Sequence, residues 1–295
     1  MSRSGDRSGV LPVDKPPGPT SHDVVARARR ALGIRKVGHT GTLDPFASGL
    51  LLLCTGYATR IGEYLKDLPK EYEAEARLGV ATETDDPEGA VVREDQGWRS
   101  LGVPAIEEAL HAFHGPIVQR PPRYSAKKVA GEAAHRRVRR GEVVELPTSE
   151  VEVLAVELLG VELPAVRFRI RCSPGTYIRA VARDLGEALG VGGHLTHLRR
   201  TAVGSFRVDD ALPADQLDVS AEVDRVWISA LEALAHLPTL EVDEDQAVRL
   251  AHGREIISES SFATDRPIAL AREGQLVAVG RSDGGIVRPV KVFSS

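Results

Sequence analysis

The stretch Val37-Gly38-His39-Thr40-Gly41-Thr42-Leu43-Asp44-Pro45-Phe46-Ala47-Ser48-Gly49-Leu50-Leu51 joins two unlike kinds of chain. Its first half is a loop punctuated by Gly38 and Gly41. Its second half leads into Gly49-Leu50-Leu51-Leu52-Leu53-Cys54, a run without a polar side chain. An unbroken apolar run of that length reads as a strand buried on both faces, and so as the middle of a central sheet. Asp44 sits at the junction. The residue before a proline is held out of the α region, which stiffens the backbone there. A carboxylate in apolar company is costly unless a cation pairs with it. A turn-forming Asp-Pro accounts for the same local residues.

Outward from this junction, strands and helices alternate irregularly. Gly9–Val13 reads as a short strand stopped by Lys15-Pro16-Pro17-Gly18-Pro19. Ser21 reads as the N-cap of a helix carrying Val24, Val25, Ala28 and Leu32, with Gly33 past its end. From Lys70 to Val80, Tyr72, Ala74, Ala76 and Leu78 alternate with Glu71, Glu73, Glu75 and Arg77, the pattern of a half-buried strand. Asp85-Asp86-Pro87-Glu88-Gly89 reads as a turn, and Pro104–Phe113 as a helix. Val151–Leu159 and Val166–Cys172 read as strands. Thr176 opens a helix with the stripe Ile178, Val181, Ala182, Leu185 and Leu189. Arg179, in its first turn, faces a cleft rim or pairs locally with Asp184 or Glu187. The tail reads as one short helix and three short strands, with turns at Glu273-Gly274 and Asp283-Gly284-Gly285.

The 295 residues carry a formal net charge of −4 and are 42% hydrophobic, enough for a sizeable core. The total hides a strong polarity. Gln119 to Gly141 holds eight basic residues and one acid; Arg207 to Ala247 holds two basic residues and eleven acids. Net charge excludes a general polycation, not a local nucleic-acid site. Pro121-Pro122 and Tyr124 within the basic segment suit an arm that closes on phosphates. The acidic stretch reads as the approach to a domain boundary.

Cys54 and Cys172 are far apart, which suggests a reducing compartment. The start MSRSGDRSGV lacks a signal-peptide apolar run, and nothing approaches the ~18 apolar residues of a membrane helix. The expected location is the cytoplasm. His111/His114 and His194/His197 are incomplete zinc sets, so no metal is expected. No phosphate-loop or dinucleotide fingerprint occurs, and no cofactor is expected.

Five segments together resemble the TruB-type family of tRNA pseudouridine synthases. They are VDKPPGPTSHD (13–23), VGHTGTLDPFASGLL (37–51), KEYEAEARLG (70–79), QRPPRYSAKKVAGEAAHRRVRRGE (119–142) and CSPGTYIRAVARDLGEALGVGGHLTHLRRTAVG (172–204). They occur in the family's order and cover most of residues 10–206. The resemblance implies an α+β pseudouridine-synthase fold with a central mixed or antiparallel sheet. Residues 1–236 would form the catalytic domain, with a basic thumb arm inserted at about 116–147. Residues 237–295 would form a small β-rich, PUA-like domain.

The same resemblance implies roles. The nucleophilic aspartate falls on Asp44, the active-site tyrosine on Tyr72 and the arginine that pairs with the aspartate on Arg179. The histidine that fills the vacancy of the flipped base falls on His39, and Lys15 and Pro16 fall on the first motif. Arg136, Arg137, Arg139 and Arg140 would grip RNA phosphates. The implied activity is conversion of uridine 55 in the T-loop of tRNA to pseudouridine, by a monomer that needs no protein partner. A non-catalytic RNA-folding factor and a guide-RNA-dependent relative are the other readings of the same residues.

Overall fold

The computed structural model describes residues 7–122, 124, 128–129, 132–133, 140, 147–258 and 260–293. The chain opens with β1 (Gly9–Lys15), α1 (Ser21–Leu32), β2 (Val37–His39) and β3 (Ser48–Thr55). A short helix α2 (Gly62–Lys66) leads to β4 (Lys70–Leu78) and the hairpin β5 (Val80–Thr82) and β6 (Val91–Glu94). Then come α3 (Val103–His111), β7 (Gly115–Gln119), and the paired β8 (Lys128–Val129) and β9 (Glu132–Ala133). The long strands β10 (Ser149–Glu162) and β11 (Ala165–Cys172) precede α4 (Ile178–Ala188), β12 (Gly193–Val203), β13 (Phe206–Arg207) and β14 (Leu212–Pro213). Two short helices follow, α5 (Ser220–Val226) and α6 (Ala230–Ala233).

These strands form a mixed ten-stranded sheet in the order β14-β1-β3-β12-β4-β11-β10-β7, with β2 beside β3 and β13 beside β12. Every residue of β3 is buried, as its unbroken apolar run requires. Leu50, Leu52 and Cys54 pack to one side with Ile61 and Leu65; Leu51 and Leu53 pack to the other with Val24, Val25 and Ala28 of α1. The alternation in β4 is equally direct: Tyr72, Ala74, Ala76 and Leu78 are buried and Arg77 is exposed. The stripe of α4 covers this half of the sheet, where Val181, Ala182 and Leu185 pack with Ala76, Phe168 and Leu195. Gly186 is needed for that approach, since a Cβ there would stand 2.2 Å from the backbone of Gly192.

Three expectations change. The N-cap of α1 is Thr20, in a capping box with Asp23, and Ser21 is buried one residue further on. The acidic stretch is not a bare approach to a boundary. Its Leu212, Leu217, Val223 and Val226 pack on β1 and α1, and Arg27 of α1 pairs with Asp218 at 3.1 Å. The tail holds five strands, not three: β15 (Thr239–Glu241), β16 (Ile256–Ile257), β17 (Pro267–Arg272), β18 (Gln275–Asp283) and β19 (Ile286–Val292), with α7 (Glu244–Ala251). The expected turns at Glu273-Gly274 and Gly284-Gly285 carry the positive φ angles of tight hairpins.

The second sheet, in the order β15-β17-β18-β19-β16, rests on the first unit. Ala269, Leu276, Val279 and Phe293 share one cluster with Ile61, Leu65 and Leu234. Lys291 pairs with Glu63 at 2.7 Å, and Arg60 donates to the carbonyl of Val292 at 2.6 Å. No helix among the described residues is long and apolar enough to cross a membrane.

Candidate active site

Asp44 lies in the loop between β2 and β3, above the sheet end where β12 runs between β3 and β4. Two anchors fix this loop. The Ser21 hydroxyl accepts from the backbone N–H of Leu43 at 2.9 Å and donates to the Leu43 carbonyl at 3.1 Å. The Lys15 ammonium, fully buried, donates to the carbonyls of Pro16, Pro19 and Pro45 at 2.9, 2.8 and 3.3 Å. Lys15 therefore ties the first proline turn to the Pro45-Phe46 peptide, just past Asp44. Burial lowers its pKa to about 8, against the opposing pull of Asp44.

Arg179, at the start of α4, crosses to Asp44, with Nε 3.0 Å from Oδ2 and Nη2 donating to Oδ1 at 3.5 Å. The pairing with Asp184 or Glu187, open from the sequence, falls instead to Arg183. Arg179 has further partners that the sequence did not expose. Its Nη1 donates to Asp86 Oδ2 at 2.9 Å and to the Thr84 carbonyl at 3.0 Å; its Nη2 donates to the Tyr124 carbonyl at 3.0 Å. Asp86 is buried, and its carboxylate also accepts from the Glu88 N–H at 3.0 Å and from the Thr84 hydroxyl. The adjacent Asp85 takes Arg183 at 2.9 Å. The Asp85-Asp86 turn thus serves two arginines one helical turn apart on α4.

The electrostatics of Asp44 run against the simple expectation that a neighbouring arginine depresses its pKa. Burial raises it, Arg179 opposes this, and the nearby Asp86 charge raises it further; the net direction is up. The carboxylate sits among the charges of Arg179, Asp86 and Lys15, with about a third of its side chain open, 34% exposed.

Tyr72 is buried beside Asp44, packed in one cluster with Leu43, Ala47 and Leu198. Burial raises the pKa of its phenol. Arg200, a second residue the sequence reading did not single out, is paired in register with Tyr72 and is buried. His39 meets His22 edge to face, with ring centroids 5.4 Å apart. Its Nδ1 is buried with no hydrogen-bond partner among the described residues. Burial, and then His22, lower the pKa of His39 to about 4, so the ring is neutral at pH 7.

The structure thus gathers Lys15, His39, Asp44, Tyr72 and Arg179 around one loop. Arg136, Arg137 and Arg139 lie outside the described residues; Arg140 is described and exposed. His194 Nδ1 lies 2.7 Å from the Val80 carbonyl, and no metal-binding group of three His, Cys, Asp or Glu occurs among the described residues. A carboxylate paired with an arginine at a partly open site, with an aromatic residue nearby, can act as base or nucleophile on a planar substrate.

Known proteins resemble this chain over most of its length. Residues 29–178 match the TruB family pseudouridylate synthase N-terminal domain, and residues 179–233 match the tRNA pseudouridylate synthase B C-terminal domain. A tRNA pseudouridine synthase B of Arthrobacter sp. (strain FB24) is 45% identical over 97% of this chain and 97% of that protein. One of Thermobifida fusca (strain YX) is 44% identical over 97% and 98%. Among solved structures, a chain of an archaeal box H/ACA sRNP Nop10-Cbf5 complex superposes with a TM-score of 0.74 at 27% identity, over 97% of this chain and 86% of that one. A chain of an H/ACA RNP bound to a substrate RNA containing 2'-deoxyuridine gives 0.75 at 27% identity, over 97% and 85%. The chain belongs to the TruB family of pseudouridylate synthases.

Proposed function

We propose that this protein is a tRNA pseudouridine synthase that converts uridine 55 in the T-loop to pseudouridine. The observation that carries the reading is the 3.0 Å pair between Asp44 and Arg179 beside the buried Tyr72. Relatives named tRNA pseudouridine synthase B match nearly the whole chain at 44–45% identity and support tRNA as the substrate.

The reaction is an isomerisation. The N1–C1′ bond breaks, the uracil turns, and a C5–C1′ bond forms; C5 loses a proton and N1 gains one. The base must leave its stack to be reached, so the nucleotide is flipped into the pocket. Tyr72 supplies the face on which the uracil rests. Asp44 acts in its ionised form, and both routes open to it, attack on C1′ or removal of a ribose proton, begin from that carboxylate. Arg179 keeps it ionised against the cost of burial. His39, neutral and with one ring nitrogen unused, occupies the place left by the flipped base. Lys15 positions the loop. Arg136, Arg137, Arg139 and Arg140 hold phosphates from the thumb arm.

The reading divides the chain into a catalytic domain, 1–236, and a PUA-like domain, 237–295. It makes the protein a cytoplasmic monomer acting on free tRNA. The test is turnover of a bare T-stem-loop RNA by the purified chain, with pseudouridine mapped by mass spectrometry. Pseudouridine at the target position is expected, and none when that uridine is replaced. Turnover only with added guide RNA or protein would overturn the stand-alone reading. Rescue of tRNA folding by an inactive Asp44→Asn protein would add a binding-only activity.

A further inference from the structure

Gln119 is a buried carboxamide that the chemistry above does not use. It is 1% exposed and is the last residue of β7, paired in register with Ser149 of β10. The basic segment leaves the sheet at this pair, so Gln119 stands at the root of the arm. Its side chain crosses to Tyr177, the N-cap residue of α4. Nε2 donates to the Tyr177 carbonyl at 3.0 Å, and Oε1 accepts from the Tyr177 backbone N–H at 2.8 Å. Only one orientation of the carboxamide satisfies both groups, because the N–H can only donate and the carbonyl only accept.

The start of α4 depends on such a contact. No side chain caps the helix, and its first turn holds no acidic residue. Arg179 is the second residue of α4, two positions beyond Tyr177. Two further bonds run from the same helix to the root of the arm. Arg183 Nη2 donates to the Arg120 carbonyl at 2.9 Å, and Arg179 Nη2 donates to the Tyr124 carbonyl at 3.0 Å. Pro121 and Pro122, between them, are buried. The segment after β7 is thus stitched along the first turns of α4.

We propose that Gln119 is a positioning residue for Arg179: its carboxamide locks the start of α4 to the root of the arm and so sets where the guanidinium meets Asp44. Both of its side-chain hydrogen bonds go to the Tyr177 backbone, so it acts through α4. The 3.0 Å pair of Arg179 with Asp44 leaves little tolerance, since a shift of about 1 Å in a reacting group is costly. The inference rests on the proposed function in taking Asp44 and Arg179 as the working pair.

The position of Arg179 can be read through Asp44. Asp44 faces Arg179 from α4, Asp86 and Glu88 from the turn between β5 and β6, Lys15 from the end of β1, and Tyr72 from β4. Arg179 and Lys15 favour the carboxylate, Arg179 the more strongly. Moving Arg179 away therefore raises the pH at which Asp44 ionises.

The experiment uses the full chain as wild type, Gln119→Met and Gln119→Glu. Single-turnover pseudouridine formation is followed against pH, with tRNA affinity measured in parallel. Gln119→Met loses both bonds at similar length. Its rate should fall on the order of 10- to 100-fold with tRNA affinity unchanged. Its acid limb should move to higher pH, so the gap to wild type widens as pH falls. Gln119→Glu regains a donor when its carboxyl is protonated, which burial favours. Its gap should instead narrow as pH falls. A folded Gln119→Met with the wild-type rate would overturn the proposal. So would a lowered rate with an unmoved acid limb, the mark of a merely structural residue, or an equal loss of affinity, the mark of a residue serving the arm alone. Should Gln119→Met not fold, Gln119→Glu decides, and a gap that stays constant with pH overturns the proposal. A wild-type chain inactive on T-stem-loop RNA would remove the functional reading. Exchange of the Tyr177 amide proton, faster in Gln119→Glu at neutral pH than in wild type, would still decide whether Gln119 holds the start of α4.

Discussion

Arg179 divides its guanidinium between Asp44 and Asp86, reaching Asp86 at 2.9 Å through Nη1 and Asp44 at 3.0 Å through Nε. The two carboxylates differ in exposure: the Asp86 side chain is 5% exposed and the Asp44 side chain 34%. Asp86 is thus the inner anchor and Asp44 the working end. Removing the anchor leaves a buried arginine with its second partner at the mouth of the site. Asp86→Ala should cost about 3 kcal/mol of stability, the scale for breaking a buried pair. It should also reduce the rate of pseudouridine formation more than tRNA affinity. Equal losses of rate and affinity would argue against an anchoring role.

Asp44→Asn should abolish product formation and leave tRNA binding intact. The same variant should be more stable at neutral pH. Burial raises the Asp44 pKa in the folded protein, so the folded state holds that proton more tightly than the unfolded chain. The contribution of this group is therefore fully present below the unfolded carboxylate pKa of about 3.9 and is lost as pH rises through the folded value. Thermal melts of the two proteins should converge in acid and separate near pH 7 with the asparagine variant higher. The acid limb of the wild-type rate should likewise lie above the ordinary carboxylate range. Melts that stay parallel at every pH would contradict this.

Ser21→Ala tests the loop anchor. The Ser21 hydroxyl satisfies both the N–H and the carbonyl of buried Leu43, one residue before Asp44. Its loss leaves two buried backbone groups unpaired, a cost of about 1–3 kcal/mol. Both the melting temperature and the rate should fall. A surface capping serine would affect the melt alone.

How far the sequence carried each residue depends on the range of its contacts. The double burial of β3 was legible because Leu50–Leu53 admits no solvent face. Tyr72 was placed by plain alternation. Asp86 was read only as part of a turn, since its partner Arg179 is 93 positions away and no local period links them. Arg200 was hidden for a related reason. It sits in the run Leu198-Arg199-Arg200-Thr201, which reads as polar, and its partners, the Leu50 and Gly41 carbonyls, are more than a hundred positions away. Ser21 was taken for the cap because serine caps helices well, but Thr20 holds that place through Asp23. Strands β15 and β16, three and two residues long, are too short for alternation to register.

The thumb arm is tested by salt. Replacing Arg136, Arg137, Arg139 and Arg140 with Ala should weaken tRNA binding and flatten the dependence of log affinity on log salt. Each lost phosphate contact on a duplex should remove about 0.9 from the slope. An unchanged slope would mean that the arm's charge is simply solvated.

The tail sheet is expected to be a structural necessity for the first unit. Ile61 and Leu65 are fully buried, as is Leu234, and all three belong to the cluster that Leu276, Val279 and Phe293 complete. A chain ended after residue 236 would expose part of that cluster. Burial of one large apolar side chain contributes about 1.5–3 kcal/mol, so the loss should reach about 5 kcal/mol. The polar clasp matters less. Glu63 is more than half exposed in its pair with Lys291, and Lys291→Ala should cost no more than about 1 kcal/mol. The truncated protein should therefore melt well below the full chain and be cleaved faster by protease between Gly56 and Leu68, whereas Lys291→Ala should match wild type in both. A truncated chain with the wild-type melt would mean that the two units fold independently and that the shared cluster is only a contact.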